Sequence, residues 1–284
     1  MLWRIATGVI SFVLVTSTHL SGQIYQNETL ATSTDSTVTE LRRRLDALSR
    51  IEIPPIRHSV SGGGYYTPVA FGSSWGFAGI GAGYQKRARH STNPDGALGA
   101  SLGLGNPWKI GLDVGVAILD LTSTRPDDGG FGHRGSFSFK IHHALSRRVA
   151  VAGGMENILN WGGTDVPPTA YGVASMRLHL KHSSKEPFSR AMVSLGVGSG
   201  RFRSERALWS GGSPVGVFAS VSVNVVPSAS TFVEWTGQDV TAGATLLPIR
   251  KLPLFVSPGV TDLTGHAGDG PRLVLGVGFG FTLR

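Results

Sequence analysis

At 284 residues the chain suits one large β domain or two small ones, and the absence of a linker-like stretch in its second half favours one. Forty glycines without a Gly-X-Y period exclude collagen, their spread through alternating apolar segments excludes a disordered tract, and zero cysteines exclude disulfides, thiolate metal sites and thiol nucleophiles. The formal charge of +8 sits mainly in expected loops and turns, which suits anionic outer-membrane lipid headgroups or lipopolysaccharide phosphates, or a weak anion preference in a pore, while the lack of a basic helix or basic-aromatic motif excludes nucleic acid as a partner.

Residues 1–22 read as a Sec-type signal peptide: Arg4 precedes an apolar core at Val9–Val15, and small polar residues follow. No A-x-A site precedes Gly22, so an uncleaved anchor is the alternative. Beyond it, no run approaches the roughly 20 apolar residues of a membrane helix. A mature chain that spans a membrane must then do so as a closed barrel, because only helices and closed barrels satisfy every backbone group in hydrocarbon.

Residues 23–56 read as a polar, periplasmic N-terminal segment with one helix expected at about 37–50. Thr37 and Glu40 have capping-box spacing, Val38, Leu41, Leu45 and Leu48 follow at 3-4-3 spacing, and Pro54-Pro55 ends the element. The stripe is either a coiled-coil handle joining a homo-oligomer or one amphipathic helix packed at a barrel rim. Residues 57–74 read as a linker.

From Trp75 the pattern has period two to the end. Strands are expected at 75–85, 96–105, 110–121, 135–142, 148–157, 169–181, 191–199, 214–225, 229–237, 239–248, 252–263 and 271–283. In the last, Leu273, Leu275, Val277, Phe279 and Phe281 share one face, with Gly276, Gly278 and Gly280 on the other. Connections alternate short and long, as they do between the two sides of an outer-membrane barrel. The exception is the tight turn at Gly237-Gln238-Asp239, on the side of the long loops. The fold class is all-β: an antiparallel up-and-down transmembrane barrel of about twelve strands over 75–284, with one short N-terminal helix.

Trp75-Gly76-Phe77, the Gly135–Lys140 run, Glu234-Trp235-Thr236-Gly237 and the Asp262–Gly265 corner carry a resemblance in texture. The region resembles Gram-negative outer-membrane β-barrel proteins and, more loosely, cyanobacterial barrels with a short N-terminal helix. The resemblance implies insertion by the barrel-assembly machinery, which reads a last strand that usually ends in an aromatic residue. This chain departs from that, ending in Leu283-Arg284.

Alternation places Asp113, Ser138, Lys140, His142, Glu156, Arg177, His179 and Glu234 inside, where an ionised side chain escapes the cost of facing lipid. They read either as a charged constriction filtering solutes or as a bracing network, with Lys140 and Arg177 facing Glu156 and Glu234. No catalytic residues, cofactor or metal site are expected: His142-His143 and His179-x-x-His182 lack a third ligand, and no nucleophile motif stands out. Trp75, Phe77, Tyr84, Phe137, Tyr171, Trp235 and Phe281 fall near strand ends, as in interface girdles. Trp161 and Trp209, in long outer loops, read either as anchors packing on the rim or as contacts for a ligand or partner. The functional expectation is a passive small-solute channel or a structural envelope protein; the alternative is a secreted, soluble β-sandwich adhesin, whose strands bury their apolar faces on each other.

Overall fold

In the computed structural model the described residues are Glu40, Arg43, 63–89, 92–119, 121, 131–163, 167–210 and 214–283. The chain divides into two compact units. One is Gly22–Arg57, in which only Glu40 and Arg43 are described; both are helical and form an ion pair at 3.2 Å. The rest of the helix expected at 37–50, like the signal segment, lies outside the described residues.

The described residues of the other unit, Met1–Ser21 with His58–Arg284, hold twelve strands. They are β1 (Phe77–Gln85), β2 (Asp95–Asn106), β3 (Ile110–Ile118), β4 (Gly135–Ala144), β5 (Val149–Trp161) and β6 (Thr169–His179). There follow β7 (Arg190–Gly198), β8 (Gly216–Val226), β9 (Ala229–Trp235), β10 (Val240–Leu246), β11 (Leu254–Thr261) and β12 (Arg272–Thr282). Each pairs antiparallel with its sequence neighbours, and β1 closes on β12 from Phe77↔Thr282 to Gln85↔Val274. The result is a closed up-and-down barrel, which sets aside the two-sheet sandwich. Closure leaves no strand edge unpaired.

Period-two sequence becomes a two-faced wall. On β12 the apolar series Leu273, Leu275 and Val277 is exposed outward while Arg272, Val274 and Gly276 are buried inward. The same division puts Ile80, Leu195, Val217, Val221 and Val233 on the outside and Ser101, Asp113, Lys140, Ser194 and Ser220 within. This inverts the arrangement of a water-soluble protein and is the one an apolar surrounding requires.

Five connections, 107–109, 145–148, 180–189, 227–228 and 247–253, lie at one end of the barrel with the start of β1 and the finish of β12. We term this the turn end. The opposite, loop end carries 86–94, 119–134, 162–168, 199–215, 236–239 and 262–271. Thr236–Asp239 is indeed tight, closed by the Asp239 amide donating to the Thr236 hydroxyl at 3.2 Å and by Thr236 N–H to the Asp239 carbonyl at 3.0 Å. The β7–β8 connection packs over it. At Gly237, with φ of +89°, a Cβ would lie 1.9 Å from the Phe202 carbonyl oxygen.

Two side chains leave the expected aromatic girdle. Phe77 and Tyr171 are buried on the inward face, because their parity on β1 and β6 points them into the barrel, whereas Trp75, Tyr84, Phe137, Trp235 and Phe281 are exposed. Trp161 ends β5, packing on Phe137 with ring centroids 5.6 Å apart and donating from its indole to the Gly132 carbonyl at 3.0 Å. The side chain of Trp209 lies outside the described residues.

Candidate functional site

The lumen is occupied by the chain itself. Residues 63–73, within the stretch read from sequence as a linker, are buried throughout except for the partly exposed Tyr66. Their partners stand on strands from different sides of the barrel, which places the segment inside it. Near the loop-end half, Glu234 of β9 receives the amides of Tyr65 (2.9 Å), Tyr66 (2.7 Å) and Thr67 (2.9 Å) and the Thr67 hydroxyl (2.7 Å). Three successive amides converging on one carboxylate form an anion-binding nest, and charge-assisted bonds of this kind are the strong ones. Ala70 N–H then donates to the Ser175 hydroxyl of β6 at 2.9 Å, which itself bonds Ser194 of β7 at 2.8 Å. Lys140 of β4 donates to the carbonyls of Val69 (3.3 Å) and Phe71 (3.2 Å), and Ser73 N–H donates to Asp113 of β3 at 3.1 Å. The chain leaves at the turn end, where Trp75 N–H reaches the Gly105 carbonyl and β1 begins. Gly103 of β2 lets it pass: a Cβ there would stand 2.4 Å from that of Ser73.

Of the eight candidate lumen residues, Ser138 of β4 is half-buried and donates to the Gly115 carbonyl of β3 at 3.4 Å, and the other seven take distinct places. Asp113, Lys140 and His142 meet in one buried cluster, with Lys140 Nζ 3.0 Å and His142 Nε2 3.6 Å from the Asp113 carboxylate. Glu156 is buried at the loop end of β5 and takes Arg201 in a two-bond clasp at 2.6 and 3.1 Å. Glu234 is held by the nest. Arg177, partly buried, lays its guanidinium 3.6 Å over the Phe71 ring, while His179 is exposed where β6 ends. Lys140 and Arg177 therefore do not pair with Glu156 and Glu234: non-strand segments supply the partners of both acids.

Strand alternation alone missed three groups. Arg190, one residue before the expected start of β7, shares the inward parity of Met192 and Ser194. Asn157 follows Glu156 in a register shift and is buried beside it, with φ of +57°. Arg201 and Phe202 belong to the β7–β8 connection, which turns inward through a 3-10 turn, Gly200–Phe202, and a short helix, α1 (Glu205–Ser210). Phe202 is fully buried, stacked on Phe218 at 4.1 Å and edge-on to Tyr171 at 6.2 Å. These rings join Val69, Ala70, Phe71, Val173 and Met192 in the principal apolar cluster.

At the loop end the charges are also organised. Asp262, with φ of +58°, accepts from the amides of Ala267 (2.9 Å) and Gly270 (3.2 Å) and from Arg272 (3.2 Å). Asp239 accepts from the amides of Val240 and Thr264 and from the Thr264 hydroxyl. Burial and a hydrogen bond shared with Asp239 raise the Asp262 carboxyl above the aspartate range. Burial also opposes ionisation of Asp239, yet its bonds from Asp262 and Thr264 outweigh that and hold it below the range. Asp269 is likewise held low, against the effect of burial, by Arg87.

No family model matches the chain, and no curated protein matches it. Among solved structures it is similar to the COG4313 outer membrane channel from Pseudomonas putida F1, at 10% identity and a TM-score of 0.44, over 78% of this chain and 99% of that one. It is similar also to the outer membrane protein Omp33 of Acinetobacter baumannii, at 8% identity and a TM-score of 0.38, over 74% and 98% of the two chains. The low-pH structure of Pseudomonas putida OprB matches at 11% identity and a TM-score of 0.23, over 72% and 91%. The strand pairs of this chain themselves close the barrel.

Proposed function

We propose that the protein is an outer-membrane β-barrel that acts as a passive channel for small solutes, its turn end facing the periplasm and its loop end facing outward. The observation that supports this is the division of one edgeless sheet into an apolar outer wall and an inner wall bearing ionisable and hydroxyl side chains along its length. Lipid satisfies the first and water or polar solute the second. Export by the 1–22 segment, insertion by the assembly machinery and contact with lipopolysaccharide belong to the same reading. Segment 63–73 and Phe202 narrow the path, so unit conductance is expected to be small.

The test is electrophoresis of the membrane fraction with and without boiling, followed by planar-bilayer recording of the refolded protein. A heat-dependent mobility shift and small discrete steps are expected. A shift with no steps, under conditions in which control porins conduct, would remove the channel. That outcome leaves a structural envelope protein, the second reading, which the buried segment 63–73 favours because it fills and braces the lumen.

A further inference from the structure

We infer that the turn-end half of the lumen wall on β6–β9 is a binding site for small oxyanions, phosphate or carboxylate. The consequence that the channel's solutes are anionic rests on the channel reading above.

Charge distribution is the first ground. The carboxylates Asp113, Glu156 and Glu234 are engaged by Lys140, by Arg201 and by backbone amides, respectively. The inward positions of β6–β9 in this half contain no carboxylate, and they hold Arg177, His179, Arg190, Ser222, Asn224 and Ser230. His179 is the register partner of Arg190, and Ser222 is the partner of Met192, two residues further along β7. Neither Arg177 nor Arg190 has an ion pair among the described residues, and the register sets the two like charges diagonally across paired strands on one face. Buried cations are ordinarily paired.

Hydrogen-bonding capacity is the second. Arg177 Nε, Arg190 Nε, Ser222 Oγ and Ser230 Oγ are buried without a protein acceptor or donor. These are donors for an oxyanion, and two guanidiniums bridged by one lose their mutual repulsion as they gain bonds. Stacking on Phe71 covers a face of Arg177 and leaves the N–H edge, which recognises planar oxyanions. Access comes from the turn end, where His179 is exposed. The flanking turns 145–148 and 180–189 carry Arg147, Arg148, Lys181 and Lys185 against one acid, Glu186, and draw anions in.

The experiment titrates inorganic phosphate into the refolded full-length protein in a non-ionic detergent, with Arg190→Gln and Arg177→Lys alongside. Saturable binding is expected, weakened about tenfold or more by Arg190→Gln and reduced by Arg177→Lys, which keeps the charge but loses the fork. The heat-dependent mobility shift reports folding; should Arg190→Gln not fold, Arg177→Lys and Ser222→Ala carry the comparison. Absence of saturable binding, or binding indifferent to the folded variants, overturns the site. Competition by added lipopolysaccharide, too large for the lumen, would place the phosphate contacts on the outer wall and equally overturn it. A protein that binds phosphate but conducts nothing keeps the site and loses the channel. One that conducts but neither binds phosphate nor changes its anion preference in Arg190→Gln keeps the channel and loses the site.

Discussion

Lys140 and Asp113 show how a charge is carried inside a wall that faces lipid. Both are almost wholly buried, 3.0 Å apart, and each also holds the backbone of the lumen segment. Removing one partner from such a pair costs about 3–5 kcal/mol, because the other is left buried and uncompensated. Lys140→Met is accordingly expected to destabilise the barrel by about that amount, and adding Asp113→Asn to recover a large part of it; urea unfolding in lipid vesicles measures both. Facing direction could be read from parity alone, which explains why Asp113, Lys140, Glu156 and Glu234 were found as inward residues from sequence. Their partners could not. Glu234 is satisfied by amides of 65–67 and Glu156 by Arg201, and both contributing stretches lack the periodicity that makes strands legible. Asn157 shows the complementary limit, since a register shift reverses parity within a strand.

Among elements, the strands were the most legible. Period two and glycine-rich or proline-containing turns put boundaries within a few residues of those found, and β4 and β5 run further than expected, to Ala144 and Trp161. The lumen segment was not legible, because Gly63-Gly64-Tyr65-Tyr66 has the composition of a connector and its burial depends entirely on a closed wall around it. Its attachment predicts its response. In Glu234→Gln an amide with its own donors meets the amides of 65–67 in place of a carboxylate, and each charge-assisted bond contributes about 1.5–3 kcal/mol. Faster hydrogen exchange at Tyr65–Thr67, with the strands of β1–β12 unchanged, and longer open times in bilayers are expected. Unaltered exchange at those amides would show that the carboxylate is not what holds the segment.

Across the whole molecule, pH acts through the loop end. The raised Asp262 contributes stability that is complete below the ordinary aspartate pKa, about 4, and is lost as pH rises through its folded value. The lowered Asp239 contributes above that ordinary value and loses its part as pH falls through its own. Both are satisfied only in the interval between. Asp262→Asn, neutral at every pH, is expected to abolish the fall in heat stability of the wild-type barrel on the alkaline side of that interval; the temperature of the mobility shift, recorded from pH 4 to 7, checks it.

The seam between β1 and β12 also bears on the order of assembly. It joins Phe77 to Thr282, the two extremes of the strand-forming chain, so the ring cannot shut until its last strand has been made. Contacts so distant in sequence form late and slowly. The segment ending at Ser73 lies immediately before β1 and already inside the ring. Threading it afterwards would require passage through a finished wall or up from its mouth, whereas an open, curling sheet can collect it on its concave side. The interior of this protein is then a record of timing: what stands at the hollow face when the first strand meets the last is what stays enclosed.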